Sequence, residues 1–429
     1  TISLSNFRAD FELALGFGRV ESTMFQGFAR TGGLPRFLGG FLTLIFSKDG
    51  SVLDSPDIDA IRAVRQVTGF ANKVLLPTSE ERNKRAIDGF IKCENDLETW
   101  EETILPGLDL SLFDSLTSVL FGDMFSRIDL AVYNDELLPK HGPGATADKI
   151  RANAKYIPQY WHSRLEQYFP SGRYLFPNNG WYQRHQCIQF VEPRDELPVR
   201  VTLVPKTLKT PRIIAIEPLV MQYCQQAILS ALVREISVDP RLRRMIGWHT
   251  SIPNQDMARL GSLDGSFATL DLSEASDRVS NVLVNRMLKN HPHLRGAVQA
   301  CRSTRARLPK PYDDKIVELR KFASMGSALC FPFESMIFIV LVLMGVHEAN
   351  DHLSARKLVN QFEQSVRTFG DDIIVPSQFA QPVIDMLERY ALKVNRKKSF
   401  WTGRFRESCG KEYYAGDDVT YVKLRHILP

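Results

Sequence analysis

Few cysteines, no cysteine pairs and no long apolar run set the first limits on this chain. Its 429 residues include six cysteines: Cys93, Cys187, Cys224, Cys301, Cys330 and Cys409. None stands in a C-x-x-C pair, and no histidine cluster lies beside one. That argues against a zinc site or a disulfide framework and favours a reducing compartment. The longest apolar run, residues 336–346, is too short to cross a bilayer and suits a buried helix. No signal-peptide pattern opens the chain, whose first residue is Thr1. The glycine-dense stretch 27–40 (GFARTGGLPRFLGG) lacks the G-x-x-x-x-G-K-[ST] order, so a P-loop is not supported. Residues 141–146 (HGPGAT) read as a loop, and a plain turn is preferred there to a phosphate cradle. There is no internal repeat and no low-complexity tract.

What is present describes a globular chain. Hydrophobic residues make up 44% and charged residues 24%, a balance that excludes a disordered or fibrous protein. The length exceeds one ordinary core and points to two or three subdomains. A net charge of +5 and a pI near 8.8 fit a polyanionic partner without demanding one.

The texture changes near residue 200. Before it, amphipathic helical stretches mix with glycine-rich turns. After it, short β-rich runs alternate with helices. Strands are expected at 200–204, 212–216 and 266–272, with a strand–turn–strand at 366–375. Helices are expected at 218–236, 326–349 and 381–392. This order predicts an α+β fold with insertions rather than a regular βαβ array.

Two acidic segments carry the chemistry. In Thr368-Phe369-Gly370-Asp371-Asp372-Ile373-Ile374-Val375, adjacent acids sit between apolar flanks. Buried neighbouring carboxylates repel one another, and a divalent cation relieves that cost. The alternative is an exposed Asp-Asp turn. In Ala268-Thr269-Leu270-Asp271-Leu272-Ser273, Asp271 ends an apolar strand; Asp277 lies six residues on. Here the alternative is a helix cap made by Ser273 or Ser276. Side by side, Asp271, Asp371 and Asp372 would form an oxygen-rich pocket suited to two Mg2+ ions, with Mn2+ as a substitute.

Basic and small residues complete the pattern. Lys206, Lys209 and Arg212 lie in a proline-stiffened turn, VPKTLKTPR, which can clamp a triphosphate or simply be solvated. Ser324 and Gly326 precede the long apolar helix, where they can approach a sugar or act as a cap. Lys397 and Lys398 are candidate general acids. Arg241, Arg243, Arg244, Arg302, Arg305, Arg307 and Lys310 are candidates for RNA phosphates, against the reading of a solvated face.

The segments VPKTLKTPRIIAIEP (204–218), ATLDLSEASDRVS (268–280), FASMGSALCFPFESMIF (322–338), FGDDIIVPS (369–377), VNRKKSF (394–400) and FRESCGKEYYAGDDV (405–419) resemble, in order and spacing, the replicase β subunits of single-stranded RNA bacteriophages. These are the levivirus, Qβ-type RNA-dependent RNA polymerases. The resemblance covers residues from about 200 onward. It implies a right-hand polymerase with fingers and palm, and a thumb that is short or truncated. The expected division is 1–199 for the N-terminal region and fingers, 200–260 for the basic-loop segment, 261–400 for the palm and 401–429 for a primer-grip-like segment. By motif, Asp271, Asp371 and Asp372 bind metal, Asp277 reads the ribose 2′-hydroxyl, and Lys206, Lys209 and Arg212 meet the incoming nucleotide. Ser324 and Gly326 belong to the sugar- and template-sensing loop. Lys397 or Lys398 supplies the acid, and residues 406–411 grip the primer end. Ser327 and Cys330 depart from the family's usual Asn and Thr.

Further expectations follow from the resemblance: RNA template and ribonucleoside triphosphates as ligands, host elongation factors Tu and Ts and a ribosomal protein as partners, and the cytoplasm of an infected bacterium as location. Three rivals share some of these features. A reverse transcriptase uses the same acids, but Asp277 and Gly370 favour ribonucleotides. An inactive RNA-binding replicase leaves the complete acid set unexplained. A metal-dependent nuclease leaves the basic loop without a purpose.

Overall fold

The computed structural model describes residues 2–74, 77–157, 159–175, 187–206 and 210–424. Its helices and short sheets form the expected α+β arrangement. Among the described residues, three apolar cores account for it.

The largest core surrounds the helix Cys330–Glu348, where residues from Pro332 to Val346 are all buried. This helix is long and apolar enough to cross a membrane, but 89% of its apolar window is buried inside the protein. Burial on every side explains why its sequence shows no polar stripe. It begins later than position 326 because residues 324–329 hold an irregular turn. Gly326 has φ 130°, and a Cβ there would lie 2.1 Å from the Ala215 carbonyl oxygen. The helices Ser111–Tyr133, Leu219–Val238 and Ala380–Arg389 pack into the same core.

A three-stranded antiparallel sheet borders that core, in the order Arg367–Phe369, Asp372–Pro376, Phe267–Asp271. Alternation along each strand divides its faces. Ala268, Leu270, Ile373 and Val375 turn into the large core. Thr269 and Asp271 share the other face with Ile374 and Asp372.

A second sheet runs Arg212–Ile216, Val199–Val204, Arg305–Arg307, Ile316–Glu318. Val199, Val201, Ala215 and Ala306 pack there against Ile87 and Phe90 of the helix Glu80–Thr103. The third core joins chain segments far apart in sequence. Phe7, Phe11 and Val64 meet Phe400, Phe405 and Tyr414 beside the hairpin Phe405–Ser408/Lys411–Tyr414.

Two local expectations are refined. Residues 141–146 are a loop whose Gly142 and Gly144 carbonyls accept from Lys155 Nζ at 2.7 and 2.6 Å, so these carbonyls face a cation. Ser273 and Ser276 cap no α-helix; a short 3-10 turn, Ala275–Arg278, follows the strand instead.

Candidate active site

The register of the three-stranded sheet places Asp271 and Asp372 as direct cross-strand partners. Residues directly opposite in an antiparallel pair have side chains on the same face, with Cβ atoms roughly 5 Å apart. The hairpin between Phe369 and Asp372 is closed by Gly370 and Asp371. Gly370 has φ 58°, and a Cβ there would meet Phe331 at 2.8 Å and a Glu334 carboxylate oxygen at 3.2 Å. Both the turn and the close packing therefore need glycine. Asp371 stands exposed at the tip.

Polar neighbours fix the two opposed carboxylates. Asp271 Oδ2 accepts from Asn395 Nδ2 at 2.8 Å and lies 3.6 Å from Lys398 Nζ. Asp372 Oδ1 accepts from the Cys409 backbone N–H at 2.9 Å and from Ser408 Oγ at 3.3 Å. Burial pushes Asp372 up to about 6; the Cys409 N–H opposes this, while Asp371 and Asp271 add to it. Burial also raises Asp271, against the pull of Lys398. Glu407 rises to about 8 through burial and then through Asp372. Glu334 is held well above the usual carboxylate range by burial and by Asp371.

The site is therefore crowded with carboxyl groups that disfavour one another's ionisation. Buried carboxylates that repel one another and offer only hard oxygens fit a divalent cation. Asp271, Asp372 and Asp371 are the donors that suit one. Among the described residues, no three acidic, histidine or cysteine side chains already converge as a metal cage. The opposed pair is preformed, and Asp371 is a neighbour at the turn.

Cations border the acids. Lys206 keeps an exposed side chain, yet desolvation of its amine comes first in lowering it to about 8. Arg212, Lys398 and Lys73 lower it further, and Asp371 pulls the other way. Arg212 pairs across the sheet with Val204, at the base of the basic turn. Lys209 lies outside the described residues. Lys398 keeps an exposed side chain, yet desolvation of its amine comes first and opposes the charge; Asp271 and Glu407 outweigh it and raise the group. Lys397 is exposed and makes no ion pair with these acids among the described residues.

Asp277 pairs with a buried lysine. Its Oδ1 lies 3.0 Å from the Nζ of Lys321. Ser324 is buried, and its Oγ has no hydrogen-bond partner among the described residues. The turn at Gly326 is pinned by the Ala215 N–H donating to Met325 at 2.9 Å. Gln225 holds the next residues, accepting from Ser327 Oγ and the Ala328 N–H.

Several cations that are candidates for RNA phosphates make contacts within the protein. Arg302 is buried, and its guanidinium donates to the carbonyls of Leu319, Lys321 and Phe322. Arg305 donates to the carbonyls of Pro193, Arg194 and Glu196. Arg241 and Arg244 pair with Glu363. Arg406, expected in a primer grip, is fully buried and donates to the carbonyls of Phe267, Thr402 and Phe405. The same segment reaches the acids through Ser408 and Cys409.

Sequence reasoning missed Lys321, Glu94, Asn395 and Glu334. Asn395 lies in a stretch already singled out for Lys397 and Lys398. Glu334 likewise lies in the replicase-like stretch 322–338, whereas Lys321 and Glu94 carry no local pattern that marks them.

Residues 192–428 match the family described as RNA replicase, beta-chain. The chain belongs to that family. It is 36% identical over 231 residues to the RNA-directed RNA polymerase subunit beta of Qbeta virus (strain MX1), covering 53% of this chain and 35% of that protein. It is 35% identical to the RNA-directed RNA polymerase beta chain of Escherichia phage MS2, covering 52% of this chain and 37% of that one. The match thus spans little more than a third of these relatives. Among solved structures, the BmCPV RNA-dependent RNA polymerase in its elongation state covers 71% of this chain and 28% of its own, with TM-score 0.42 and 10% identity. A likeness that low does not establish a shared fold. The six motif segments that suggested the replicases fall within the matched residues, and the helix Glu80–Thr103 lies before them.

Proposed function

We propose that this replicase-family chain carries the nucleotidyl-transfer centre of an RNA-templated RNA polymerase and replicates a viral RNA genome. The observation that carries this reading is the direct pairing of Asp271 with Asp372, with Asp371 at the adjoining turn. In this reading the three-stranded sheet is the palm of a right-hand polymerase. The sheet bearing the basic turn belongs to the fingers.

Asp271, Asp371 and Asp372 would hold two divalent cations, magnesium by preference. Bound there, the ions would lower the pKa of a 3′-hydroxyl and steady the charge on the departing pyrophosphate. The remaining work falls to side chains. Lys206 and Arg212, with Lys209, bind the triphosphate and supply positive charge beside an acidic centre. Lys398, protonated and paired with Asp271, orients that carboxylate and keeps a proton on Nζ for the leaving group. Lys397 lacks that pairing and is the weaker candidate. Asp277 reads the ribose 2′-hydroxyl, and Ser324 and Gly326 line the turn that approaches the sugar.

The relatives' names describe subunits or chains of a polymerase. Partners in this reading are an RNA template, ribonucleoside triphosphates, host elongation factors Tu and Ts, and a ribosomal protein. The place of action is the cytoplasm of the infected bacterium.

The test is template-directed incorporation of labelled ribonucleotides onto a primed RNA, with Mg2+. Synthesis that depends on template sequence and disappears in Asp372→Asn supports the reading. Mononucleotide release from RNA, or equal synthesis by the Asn variant, refutes it.

A further inference from the structure

Lys321 is the least expected charge in the molecule. Its side chain is fully buried, with Nζ only 3.3 Å from the centroid of the Phe90 ring. Burying an unpaired ammonium costs several kcal/mol, so such a group persists only with partners. Two are present. Asp277 Oδ1 is 3.0 Å away, and Glu94 Oε1 is 2.9 Å away. Both carboxylates favour the charged amine and outweigh the desolvation.

Glu94 does more than neutralise. Its other oxygen accepts the backbone N–H of Arg320 at 2.6 Å and that of Lys321 at 3.3 Å. The helix Glu80–Thr103 thereby fixes the backbone that presents Lys321. The same helix also holds the residues after Asp277: Asp96 accepts from Arg278 at 3.0 Å, and Glu101 accepts from Ser280 Oγ at 2.6 Å. Asp277 is thus held by a buried lysine on a braced backbone, within a turn that is itself braced.

Asp277 nonetheless keeps 19% of its side-chain surface exposed. Its Oδ2 takes no hydrogen bond or ion pair among the described residues, whereas Oδ1 is ion-paired with Lys321. It lines a cavity of about 280 Å³ between that helix, Glu274 and the end of the basic turn at Thr210 and Pro211. This is just below the ~300 Å³ at which drug-sized ligand pockets begin, and suits a smaller, sugar-sized group.

We propose that Lys321 is a positioning residue for ribonucleotide selection: braced by Glu94, it holds one oxygen of Asp277 so that the other meets the ribose 2′-hydroxyl in this cavity. The inference rests on the proposed polymerase activity and extends it to residues 94 and 321, of which Glu94 lies outside the family match. A hydroxyl-reading acceptor discriminates only if it does not turn away when the hydroxyl is missing. The lysine supplies that fixity.

The test uses the full chain on a primed RNA template, comparing one ribonucleotide with its 2′-deoxy counterpart. Lys321→Met is expected to lower the ribo-over-deoxy ratio of kcat/KM about tenfold, the worth of one positioned hydrogen bond. The loss falls on the ribonucleotide, while deoxynucleotide incorporation stays within about threefold. Glu94→Gln keeps an acceptor for the backbone N–H groups but removes a charge. It is expected to shift the ratio in the same direction by about threefold, and it carries the test if Lys321→Met does not fold. Equal loss for both nucleotides in the folded variants overturns the inference and leaves Lys321 a structural residue. A wild-type chain that makes no RNA instead overturns the polymerase reading, before any substitution is compared.

Discussion

The residues matched by the replicase family and those before position 192 divide the labour. The matched part carries every acid and cation proposed to touch substrate. The preceding part holds that machinery in place. Its helix Glu80–Thr103 braces Lys321 and the Asp277 turn, and Arg65 ties the N-terminal helices to the C-terminal hairpin. Arg65 is fully buried, 3.1 Å from Glu12 and 2.8 Å from Glu412, and its Nε donates to the Val419 carbonyl at 2.9 Å. Chemistry and support are thus distributed along the chain but interleaved in space. Substitution of the opposed acids should change activity without costing stability, and substitution of Arg65 should do the reverse.

The largest effect should come from the opposed acids. Asp372→Asn is expected to lower RNA synthesis at least ~10³-fold, since it removes a metal-binding carboxylate from the reaction centre. Its melting temperature should be unchanged or higher, because a buried repulsion is relieved. Incorporation kinetics and a thermal melt on one preparation check both halves.

Arg65→Ala should behave in the opposite way. It leaves Glu12 and Glu412 without their buried cation and is expected to cost about 3–5 kcal/mol in denaturant unfolding. Incorporation per folded molecule should change little at low temperature.

A smaller effect belongs to the joint between the two parts. The Glu217 carbonyl accepts the Ala147 N–H at 2.8 Å, and its carboxylate accepts from Ser303 Oγ at 2.5 Å. Burial pushes this carboxyl up to about 7, against the Ser303 hydrogen bond. A carboxyl raised in the folded state binds a proton more tightly there than in the unfolded chain. Its stabilisation is complete below about pH 4.5 and is lost as pH rises toward 7. Glu217→Gln should flatten that decline and stabilise the protein at pH 8 by on the order of 3 kcal/mol. Melts across pH 5–8 read the difference.

The smallest contrast separates two adjacent lysines. Lys398→Ala should lower the rate about tenfold through loss of an oriented proton donor, whereas Lys397→Ala should stay near wild type. Equal effects from both would remove the distinction drawn from the Asp271 ion pair.

The strands near 200–204, 212–216 and 266–272, the long core helix and the acid hairpin were legible because each has a local signature, whereas the short strands Arg305–Arg307 and Ile316–Glu318 and the hairpin Phe405–Ser408/Lys411–Tyr414 were not foreseen. Ile373-Ile374-Val375 is a β-branched and apolar run, Gly370 marks the turn, and residues 336–346 are uniformly apolar. The pairing of Asp271 with Asp372 was inferred from strand-end acids 101 positions apart, and the register bears it out. Lys321 and Glu94 were not legible, since an ion pair spanning 227 positions leaves no spacing to read. The converse error has the same origin. Arg302 and Arg406 look like exposed cations in sequence, yet each is buried among backbone carbonyls that only the fold brings together.

The central claim is that the Asp271–Asp372 pair and the adjoining Asp371 form a divalent-cation centre. The most direct measurement is an anomalous difference map from a crystal soaked in Mn2+ and a primed RNA duplex. The account predicts peaks about 2.2 Å from carboxylate oxygens of Asp271 and Asp372, absent in the double Asn variant. Manganese bound elsewhere, with those two carboxylates left uncoordinated, would contradict it.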